Sequence, residues 1–222
     1  MVAIQTSNQS AGRGRRGAEW RAPSGSSLLI TYILSGSECH PAQVHIISFI
    51  AGLAVAEGIE ELCGISTLLK WPNDVFSAGK KIAGILIETA AYPPPNPDPV
   101  ALLGIGVNVN TPSFPHELSE TATSLLQQTG REWDITPLEE CIRAHLNSLR
   151  DQTRRNGSKW LLDRWRERDD TTGRKYTLER DGSLLRGIAR GVDDDGALLV
   201  NVNGRTICTL SATSADSSDM HL

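Results

Sequence analysis

The pattern of turn residues changes at Gly173, and this change constrains the fold more than any other feature of the sequence. From there onward, short runs of β-forming residues alternate with Asp-Gly and Asn-Gly dipeptides. Such dipeptides between short β-runs are the strongest local signal for a β-hairpin. A meander of four strands is therefore predicted, at 175–180, 184–192, 197–202 and 206–210. A unit of roughly 50 residues is near the lower size limit for an independent core, so we expect a small barrel docked on a larger domain.

The residues upstream mix strand and helix patterns instead. Apolar, β-rich runs at 28–34, 82–88 and 100–110 predict buried strands, and 67–70 predicts a shorter one. Turn residues before 82–88 predict that it forms a hairpin with 67–70 across a prominent loop. The proline-rich segment 92–99 is predicted to be a surface connection.

Two long helices are predicted from apolar side chains at helical spacing. The first follows Pro41, a favoured first helical residue, and ends before Gly64. The second ends near Gly157, and a shorter helix carrying Trp160 and Trp165 comes after it. The predicted start signal of the second helix consists of a Thr136 cap, Pro137 and a capping-box Glu139. Its predicted apolar face consists of Leu138, Ile142, Leu146 and Leu149.

Composition excludes several classes of protein. The chain has 222 residues, 39% of them hydrophobic, and a formal net charge of -4, which is typical of a soluble globular protein and argues against a general nucleic-acid binder. No apolar run approaches the roughly 18 residues of a membrane span, and the start lacks the pattern of a secretory signal. The four cysteines have no CxxC or Cys/His ligand spacing, which predicts reduced and mostly buried thiols in a cytoplasmic protein: Cys39, Cys63, Cys141 and Cys208.

Basic residues are concentrated in the segment GRGRRG at 12–17, between Gln9 and Trp20. Closely spaced glycines let a backbone wrap around a ligand, and guanidinium groups bind phosphate and carboxylate oxygens bidentately. The segment predicts an anion-binding loop, with Trp20 as an aromatic cover or as a core anchor. A disordered basic segment that binds RNA is the alternative. The single occurrence next to a predicted strand favours the loop.

A second cluster consists of KWPND at 70–74 and KIAGIL at 81–86. A lysine beside a glycine-containing buried strand can project its ammonium into a pocket while the strand backbone lies against the ligand. Asp74, in the adjacent turn, can hold Mg²⁺ or orient an arginine. Taken singly, these residues are better explained as an ordinary turn and a solvated lysine pair, so only their combination carries the prediction. Glycines inside the strand 100–110 indicate another close approach of a ligand.

Together these segments resemble the biotin–protein ligases. The shared motifs, in the order that the family has them, are GRGRRG at 12–17 with Trp20, KWPND at 70–74, KIAGIL at 81–86, GIGVN at 104–108 and GVDDDGALLV at 191–200. The resemblance covers nearly the whole chain. It implies an α+β catalytic domain at 1–170, with a mixed β-sheet and helices like those of class II aminoacyl-tRNA synthetases, and a small SH3-like β-barrel at 171–222.

The resemblance also implies a two-step ligation in which biotin and ATP are the substrates and Mg²⁺ assists. Biotin is first activated as biotinyl-5′-AMP and then joined to a specific lysine of a biotin carboxyl carrier domain, as in acetyl-CoA carboxylase. A cytoplasmic monomer or homodimer is expected, with no DNA-binding helix-turn-helix and no membrane association. A lipoate or octanoate transferase shares the general fold, but the arginine loop and KWPND favour biotin.

Site residues follow from the resemblance, residue by residue. Lys81 is expected to be the main electrostatic catalyst, together with Arg13 and Arg15, and no resident metal ligands are expected. The residues expected to bind biotin are Gln9, Gly12, Arg13, Gly14, Arg15, Lys81 and Gly84. The residues expected to bind ATP or the adenylate are Arg15, Arg16, Trp20, Asn73, Asp74, Lys81, Gly104, Gly106 and Asn108.

The sequence departs from the family pattern in one respect. Members have a Ser-Thr-Asn segment well upstream of the arginine loop, whereas Ser7 and Asn8 lie directly beside Gln9 and cannot replace it. We therefore expect that the native start lies upstream of Met1. The alternative is an N-terminally truncated fragment that is inactive or that only docks the acceptor protein.

Overall fold

The computed structural model describes residues 2–35, 44–90, 100–180 and 182–214. The strands are β1 (Val2–Thr6), β2 (Ser27–Ser35), β3 (Leu68–Lys70), β4 (Asp74–Ser77), β5 (Lys80–Ala90), β6 (Val100–Asn108), β7 (Lys175–Arg180), β8 (Ser183–Val192), β9 (Leu198–Val202), β10 (Arg205–Thr209) and β11 (Thr213–Ser214). The helices are α1 (Val44–Cys63), α2 (His116–Ser119), α3 (Leu125–Thr129), α4 (Ile135–Asn156) and α5 (Ser158–Arg166).

The larger sheet has six strands in the order β1-β2-β6-β5-β4-β3. Neighbouring strands pair antiparallel, and parallel pairing occurs in isolated bridges, Leu69 with Asp169 and Lys81 with Ala122. Helices α1 and α4 pack against each other and against one face of this sheet, where α1 contributes a nearly continuous buried surface. The predicted α+β class is confirmed.

Most of the predicted elements form, but the prediction of a direct hairpin between 67–70 and 82–88 is wrong. The segment 74–77, interpreted as part of a loop, is the strand β4, and it lies between β3 and β5 in a three-stranded meander. Four residues flanked by turn signals are too few to show a strand period, which explains the omission. Ala78 and Gly79 make the tight turn after β4, with φ of +48° and +77°.

The start of α4 also differs from the prediction. The helix begins at Ile135, and its cap is Asp134, whose side chain accepts a hydrogen bond from the backbone nitrogen of Thr136 at 3.0 Å. Thr136 is therefore inside the helix, and Pro137 is still in the first turn, where its missing N–H is tolerated. The predicted apolar face of α4 is confirmed, because all four of its members are buried. The helix ends at Gly157 as predicted.

A second sheet of five antiparallel strands, in the order β10-β9-β8-β7-β11, contains the predicted meander. Trp71 connects it to the larger sheet. The Trp71 indole nitrogen donates to the carbonyl of Gly196 at 3.1 Å, and its carbonyl accepts a hydrogen bond from the Tyr176 hydroxyl at 2.8 Å. The expected docking of the small unit is thus observed, and the two sheets share one continuous core.

Some expectations fall outside the described residues or need correction. Pro41, Cys39, the segment 92–99 and the last residues of the chain, 215–222, lie outside them. The three described cysteines are free thiols, as expected, but none of them is fully buried: Cys63, Cys141 and Cys208. Among the described helices, none is long and apolar enough to cross a bilayer.

Candidate active site

The face of the larger sheet opposite the helices has a floor of glycines. Gly84 of β5 is directly opposite Gly106 of β6, and Gly104 is paired with Thr31 and Leu86 on the strands at either side. Because side chains alternate between the two faces of a strand, glycine at these positions leaves the backbone uncovered on this face only. The result is a flat surface on which a ligand can lie.

A cavity of about 1080 Å³ lies over this floor. The predicted site residues in its lining are Gln9, Arg13, Gly14, Arg15, Arg16, Trp20, Asn73, Asp74, Lys81, Gly84, Gly104 and Gly106. Gly12 lines an adjoining space within the arginine segment. Segments far apart in the sequence thus converge on one cavity, which is the arrangement expected of a ligand site.

Asn108 is the predicted residue that the structure does not bring to the cavity. Its side chain is buried, and its amide nitrogen donates to the carbonyl of Thr123 at 3.0 Å. Asn73 lines the cavity, but its amide nitrogen donates to the carbonyl of Ile85 at 2.6 Å. Both amides hold backbone segments in place around the floor, so neither side-chain nitrogen is available to a nucleotide in this geometry.

Lys81 and Asp74 form a buried ion pair at the edge of the floor. The Lys81 ammonium nitrogen lies 2.8 Å from Oδ1 of Asp74, and the two side chains are only 10% and 6% exposed. Asp74 Oδ1 is buried and has no hydrogen-bond partner within the described part of the chain, so its contact with Lys81 is ionic. Asp74 therefore orients a lysine rather than the arginine or metal ion considered from the sequence.

A β-bulge decides where the Lys81 side chain points. Val75 of β4 pairs with Ala83, but the next residue, Phe76, pairs with Lys81, so one extra residue is inserted in β5. Without the insertion, Lys81 would share the helix-facing side of the sheet with Ala83. Bulges of this kind re-aim side chains and are frequent beside active sites. Hydrogen bonds from the Lys81 nitrogen to Thr121 and from the Thr123 nitrogen to the Lys81 carbonyl fix the backbone here.

The indole of Trp20 lies on the glycine floor. A Cβ added to Gly106 would come within 2.7 Å of Trp20 Cε2, and one added to Gly84 would come within 3.2 Å of its Cζ3. The Lys81 ammonium is 5.9 Å from the ring centroid, within the range of a cation–π contact. The Trp20 Nε1 atom is buried and has no hydrogen-bond partner. Trp20 is thus a cover over the floor, one of the two roles considered for it.

The arginine segment is a small hairpin rather than an irregular loop. The Gly14 nitrogen donates to the carbonyl of Ala18, and the Trp20 nitrogen donates to that of Gly12. A Cβ on Gly12 would come within 2.3 Å of the Trp20 carbonyl oxygen, so only glycine fits there. Arg16, at the turn, has a left-handed backbone with φ of +54°.

The arginines reach in different directions from this hairpin. Arg13 forms a largely exposed ion pair with Glu88 of β5 at 3.0 Å. The Arg16 guanidinium donates to the Ser211 hydroxyl at 2.9 Å, so the hairpin contacts the segment that leads into β11. Arg15 lines the cavity. At the mouth, the Arg21 guanidinium donates to the Glu19 carboxylate, and this contact raises the pKa of Arg21.

Several cavity residues were not found from the sequence. Glu88 could have been predicted, because the alternation of side chains along β5 places it on the same face as Gly84 and Leu86. Glu117 of α2 and the C-terminal residues Thr213 and Ser214 carried no such signal. Thr213 and Ser214 reach the cavity because the second sheet docks beside the arginine hairpin, whereas Glu117 is placed there by α2.

The fold and the site define a class of protein. An antiparallel α+β domain with a backbone floor, an oriented lysine and an arginine hairpin, joined to a small barrel, is built to hold an anionic ligand against a sheet. Residues 3–108 match the Biotin/lipoate A/B protein ligase family, and residues 172–212 match the Biotin protein ligase C terminal domain.

Similarity to known proteins extends over most of the chain. It is 33% identical over 210 residues to the Biotin--[acetyl-CoA-carboxylase] ligase of Mycobacterium tuberculosis, which covers 93% of this chain and 75% of that protein. The corresponding ligase of Paracoccus denitrificans is 33% identical over 201 residues, covering 86% and 80%. The solved structure of the biotin protein ligase from Aquifex aeolicus in complex with biotin and ATP has a TM-score of 0.82 and 25% identity, covering 96% of this chain and 88% of that one. The chain belongs to the biotin protein ligase family, which confirms the resemblance found from the motifs.

Proposed function

We propose that the chain activates biotin with ATP as biotinyl-5′-AMP and transfers the biotinyl group to a lysine of a biotin carboxyl carrier domain. The Lys81–Asp74 pair at the edge of the glycine floor carries the proposal, because it holds a cation beside a surface shaped for a flat ligand. The names of the relatives support the reaction, since both are biotin--[acetyl-CoA-carboxylase] ligases. The Aquifex structure supports the substrates, since it contains biotin and ATP.

In this proposal the ring system of biotin rests on Gly84 and Gly106, and its carboxylate points toward Lys81. The arginine hairpin, with Gln9, Arg13, Gly14 and Arg15, closes over the ligand from the opposite side. Joining two anions requires positive charge aimed at the phosphates, and Lys81, Arg15 and Arg16 supply it. Asp74 acts as a positioning residue, because it holds the Lys81 side chain in one orientation.

The proposed reaction has two chemical steps. A carboxylate oxygen of biotin attacks the α-phosphorus of ATP, and the bond from that phosphorus to the bridging oxygen of pyrophosphate breaks. The uncharged amine of the acceptor lysine then attacks the carbonyl carbon of the mixed anhydride, AMP leaves, and the nitrogen loses a proton. The cover formed by Trp20 and the hairpin excludes water, which would otherwise hydrolyse the adenylate.

We propose that Mg²⁺ binds together with ATP and is not held by the protein alone. Asp74, the residue considered for it from the sequence, has Oδ1 2.8 Å from an ammonium nitrogen and fits a cation poorly through that oxygen. Mg²⁺ retains several waters and commonly binds through substrate phosphates. It would supply charge neutralisation at those phosphates.

We place the boundary between the catalytic domain and the SH3-like domain at 170–171, and we expect a cytoplasmic monomer or homodimer. The free thiols of the described cysteines suit a reducing compartment. The acceptor is proposed to be the carrier domain of acetyl-CoA carboxylase or a related carboxylase.

Substitution of Lys81 tests the function directly. In an assay of biotin-dependent biotinyl-AMP formation, Lys81→Met should reduce the rate at least about 100-fold, the usual magnitude for losing one preorganised electrostatic contact. It also leaves the buried Asp74 carboxylate unpaired, which destabilises the fold. The double variant Lys81→Met/Asp74→Asn removes that charge, and it should regain stability without regaining activity.

The matched control is Lys159→Met, because Lys159 is an exposed ion-pairing lysine on α5. It should leave the rate unchanged. A double variant as active as the wild type would remove Lys81 from the mechanism. Absence of biotinyl-AMP formation both by this chain and by an N-terminally extended form would overturn the function.

Ligand competition separates biotin from its nearest alternative. We expect biotin, and not lipoate, to raise the melting temperature in a thermal-shift assay with ATP present. A larger shift with lipoate would instead assign the chain to lipoate transfer. Salt-sensitive RNA binding that is lost on substitution of Arg13, Arg15 and Arg16, with no response to biotin, would favour the RNA-binding alternative.

Trp20 provides a second test of the biotin site. Its indole lies where the ring system of biotin is proposed to rest, so biotin binding requires the indole to move off Gly106. Biotin should therefore change the tryptophan fluorescence of the wild type, and the change should be lost in Trp20→Phe. An identical change in that variant would place biotin elsewhere.

A further inference from the structure

A cluster of metal-ligating side chains lies between helices α1 and α4, outside the lining of the active-site cavity. Helix α1 contributes Glu57 and Glu61, and helix α4 contributes Cys141 and His145. Each pair has the spacing i, i+4, which places both members on the same face of their helix. The two faces meet where the helices pack against each other.

The ligand atoms of Glu61, Cys141 and His145 are close enough to share one ion. A carboxylate oxygen of Glu61, the sulfur of Cys141 and a ring nitrogen of His145 all lie within 4.8 Å of one another. Nε2 of His145 is 2.8 Å from Oε2 of Glu61. Ligands of a tetrahedral zinc ion at bond lengths of about 2.0–2.3 Å lie roughly 3.3–3.7 Å apart, so small side-chain adjustments suffice.

We propose that Glu61, Cys141 and His145 bind one Zn²⁺ ion between α1 and α4. Thiolate, imidazole and carboxylate are the side-chain ligands that zinc takes in proteins, and three of them leave a fourth position for water. The soft thiolate ligand, together with imidazole, disfavours Mg²⁺ and Ca²⁺, because these ions prefer oxygen ligands. Cys141 and His145 come from one helix, so two of the ligands are already placed by α4.

A zinc-binding histidine usually donates a hydrogen bond to a carboxylate or carbonyl through the ring nitrogen that does not bind the metal. Glu57 is placed to be that acceptor for His145. Its Oε2 lies 3.2 Å from Nδ1 of His145, on the ring side away from Glu61. A carboxylate at Nδ1 favours the proton on that nitrogen and leaves the lone pair of Nε2 for the metal. Glu57 is itself held by an ion pair with Arg164 of α5. Glu57 is therefore a positioning residue, not a ligand.

The same residues also have a simpler interpretation, as a network of His145 with two carboxylates. Such a network accounts for Glu57, Glu61 and His145, and the Cys141 thiol joins it through a hydrogen bond with Glu61. Only zinc binding requires that thiol to become a thiolate. Cys141 therefore distinguishes the two interpretations. Zinc binding would cross-link the two long helices under the sheet, and an ion that binds the folded state alone stabilises it by mass action.

Titration of the reduced, chelator-treated protein with Co²⁺ tests the site, because Co²⁺ reports a thiolate ligand by an intense near-ultraviolet charge-transfer band and tetrahedral geometry by visible bands. We expect both bands, saturating at one equivalent and abolished by excess Zn²⁺. Cys141→Ser should eliminate the charge-transfer band. His145→Gln and Glu61→Gln should weaken binding at least tenfold, and Glu57→Gln should weaken it about 10–100-fold.

The matched controls are Cys208→Ser and Cys63→Ser, which remove free thiols outside the triad and should keep the band. Cys141→Ala, which suits a helix, serves as a second variant if the serine form folds poorly. Absence of the band in the wild type, or its persistence in folded Cys141 variants, would overturn the proposal. Equal Co²⁺ affinity in His145→Gln would overturn it as well. The titration uses no biotin or ATP, so its outcome is independent of the proposed ligase activity.

Discussion

In the central strand β6 of the larger sheet, alternate residues serve opposite purposes on the two faces of the sheet. On the helix side, β6 presents Leu103, Ile105 and Val107, all buried in the core. On the other side, the residues between them are Gly104 and Gly106, which form the floor of the cavity. The helix-side face thus buries apolar side chains and stabilises the fold, while the other face leaves backbone open for a ligand. Substitutions on the two faces should therefore separate stability from binding.

The largest expected effect is on the helix side. Leu103 has no exposed surface, so Leu103→Ala should reduce the free energy of unfolding by about 2–5 kcal/mol through lost burial and a residual cavity. Denaturant titration measures the change. Biotin affinity of the folded variant should stay within about twofold of the wild type. A large loss of affinity would show that the two faces are not independent.

The cavity side should respond in the opposite way. In Gly106→Ala, the new Cβ would project from the floor where the ring system of biotin is proposed to rest, a point that Trp20 approaches to within 2.7 Å when it covers the floor. We expect biotin affinity to fall at least tenfold, equivalent to about 1.4 kcal/mol, in isothermal titration calorimetry. The matched control is Gly52→Ala in helix α1, where a new Cβ would make only an ordinary contact, 3.6 Å from Leu69, and which should leave affinity unchanged. An unaltered affinity in Gly106→Ala would exclude the floor as the biotin site.

On the helix side of the sheet, Glu60 of α1 is expected to make a pH-dependent contribution of about 1–2 kcal/mol to the free energy of unfolding. Burial alone would raise the pKa of Glu60, but hydrogen bonds from Arg168 and from the backbone and hydroxyl of Thr67 hold it below its ordinary value of 4.5. A carboxylate with a lowered pKa stabilises the fold above its unfolded-state pKa, and the contribution is lost as the pH falls through the folded-state pKa. Glu60→Gln should therefore reduce stability at pH 7 and flatten its decline below about pH 4.5. An equally steep decline in the variant would assign the acid sensitivity to other groups.

The smallest expected effect comes from the hydroxyl of Tyr32, which joins the helix side of β2 to α4. Burial and a hydrogen bond to Glu139 at 2.9 Å raise the pKa of Tyr32 well above its ordinary value, so the hydroxyl stays a neutral donor. Tyr32→Phe should reduce the free energy of unfolding by about 1 kcal/mol. Biotin affinity should not change. A change in affinity without loss of stability would contradict the assignment of Tyr32 to the helix side.

Much of the difference between the two faces of the sheet could be predicted from the sequence, because it depends on the alternation of residues along a strand and their spacing along a helix. Alternation in 100–108 assigns the apolar residues to one face and the glycines to the other, and β6 confirms it. The helical stripe of α4 is confirmed for the same reason. The prediction of Thr136 as the N-terminal cap of α4 is wrong. Asp134 and Thr136 are both good cap residues, and the choice between them depends on where the chain enters the helix.

Other features could not be predicted because they depend on contacts between distant segments. Alternation alone would place Lys81 on the same face as Ala83 and Ile85, in the core. The bulge opposite Val75 reverses this and brings Lys81 to Asp74. Likewise, Cys141 and His145 showed no ligand pattern in the sequence, because their partner Glu61 comes from a helix about eighty residues earlier.

The sequence by itself determined most of the long elements, the α+β class and the motifs that place this chain among the biotin protein ligases, because periodicity, turn chemistry and short motifs are local properties. Only the tertiary structure decided that Lys81 points into the cavity, that Trp20 lies on Gly84 and Gly106, and that the Asn108 side chain binds the carbonyl of Thr123 instead of lining the cavity. It also decided that Glu61 meets Cys141 and His145. These arrangements depend on strand register, on a bulge and on helix packing, which bring together residues that no short window of sequence contains.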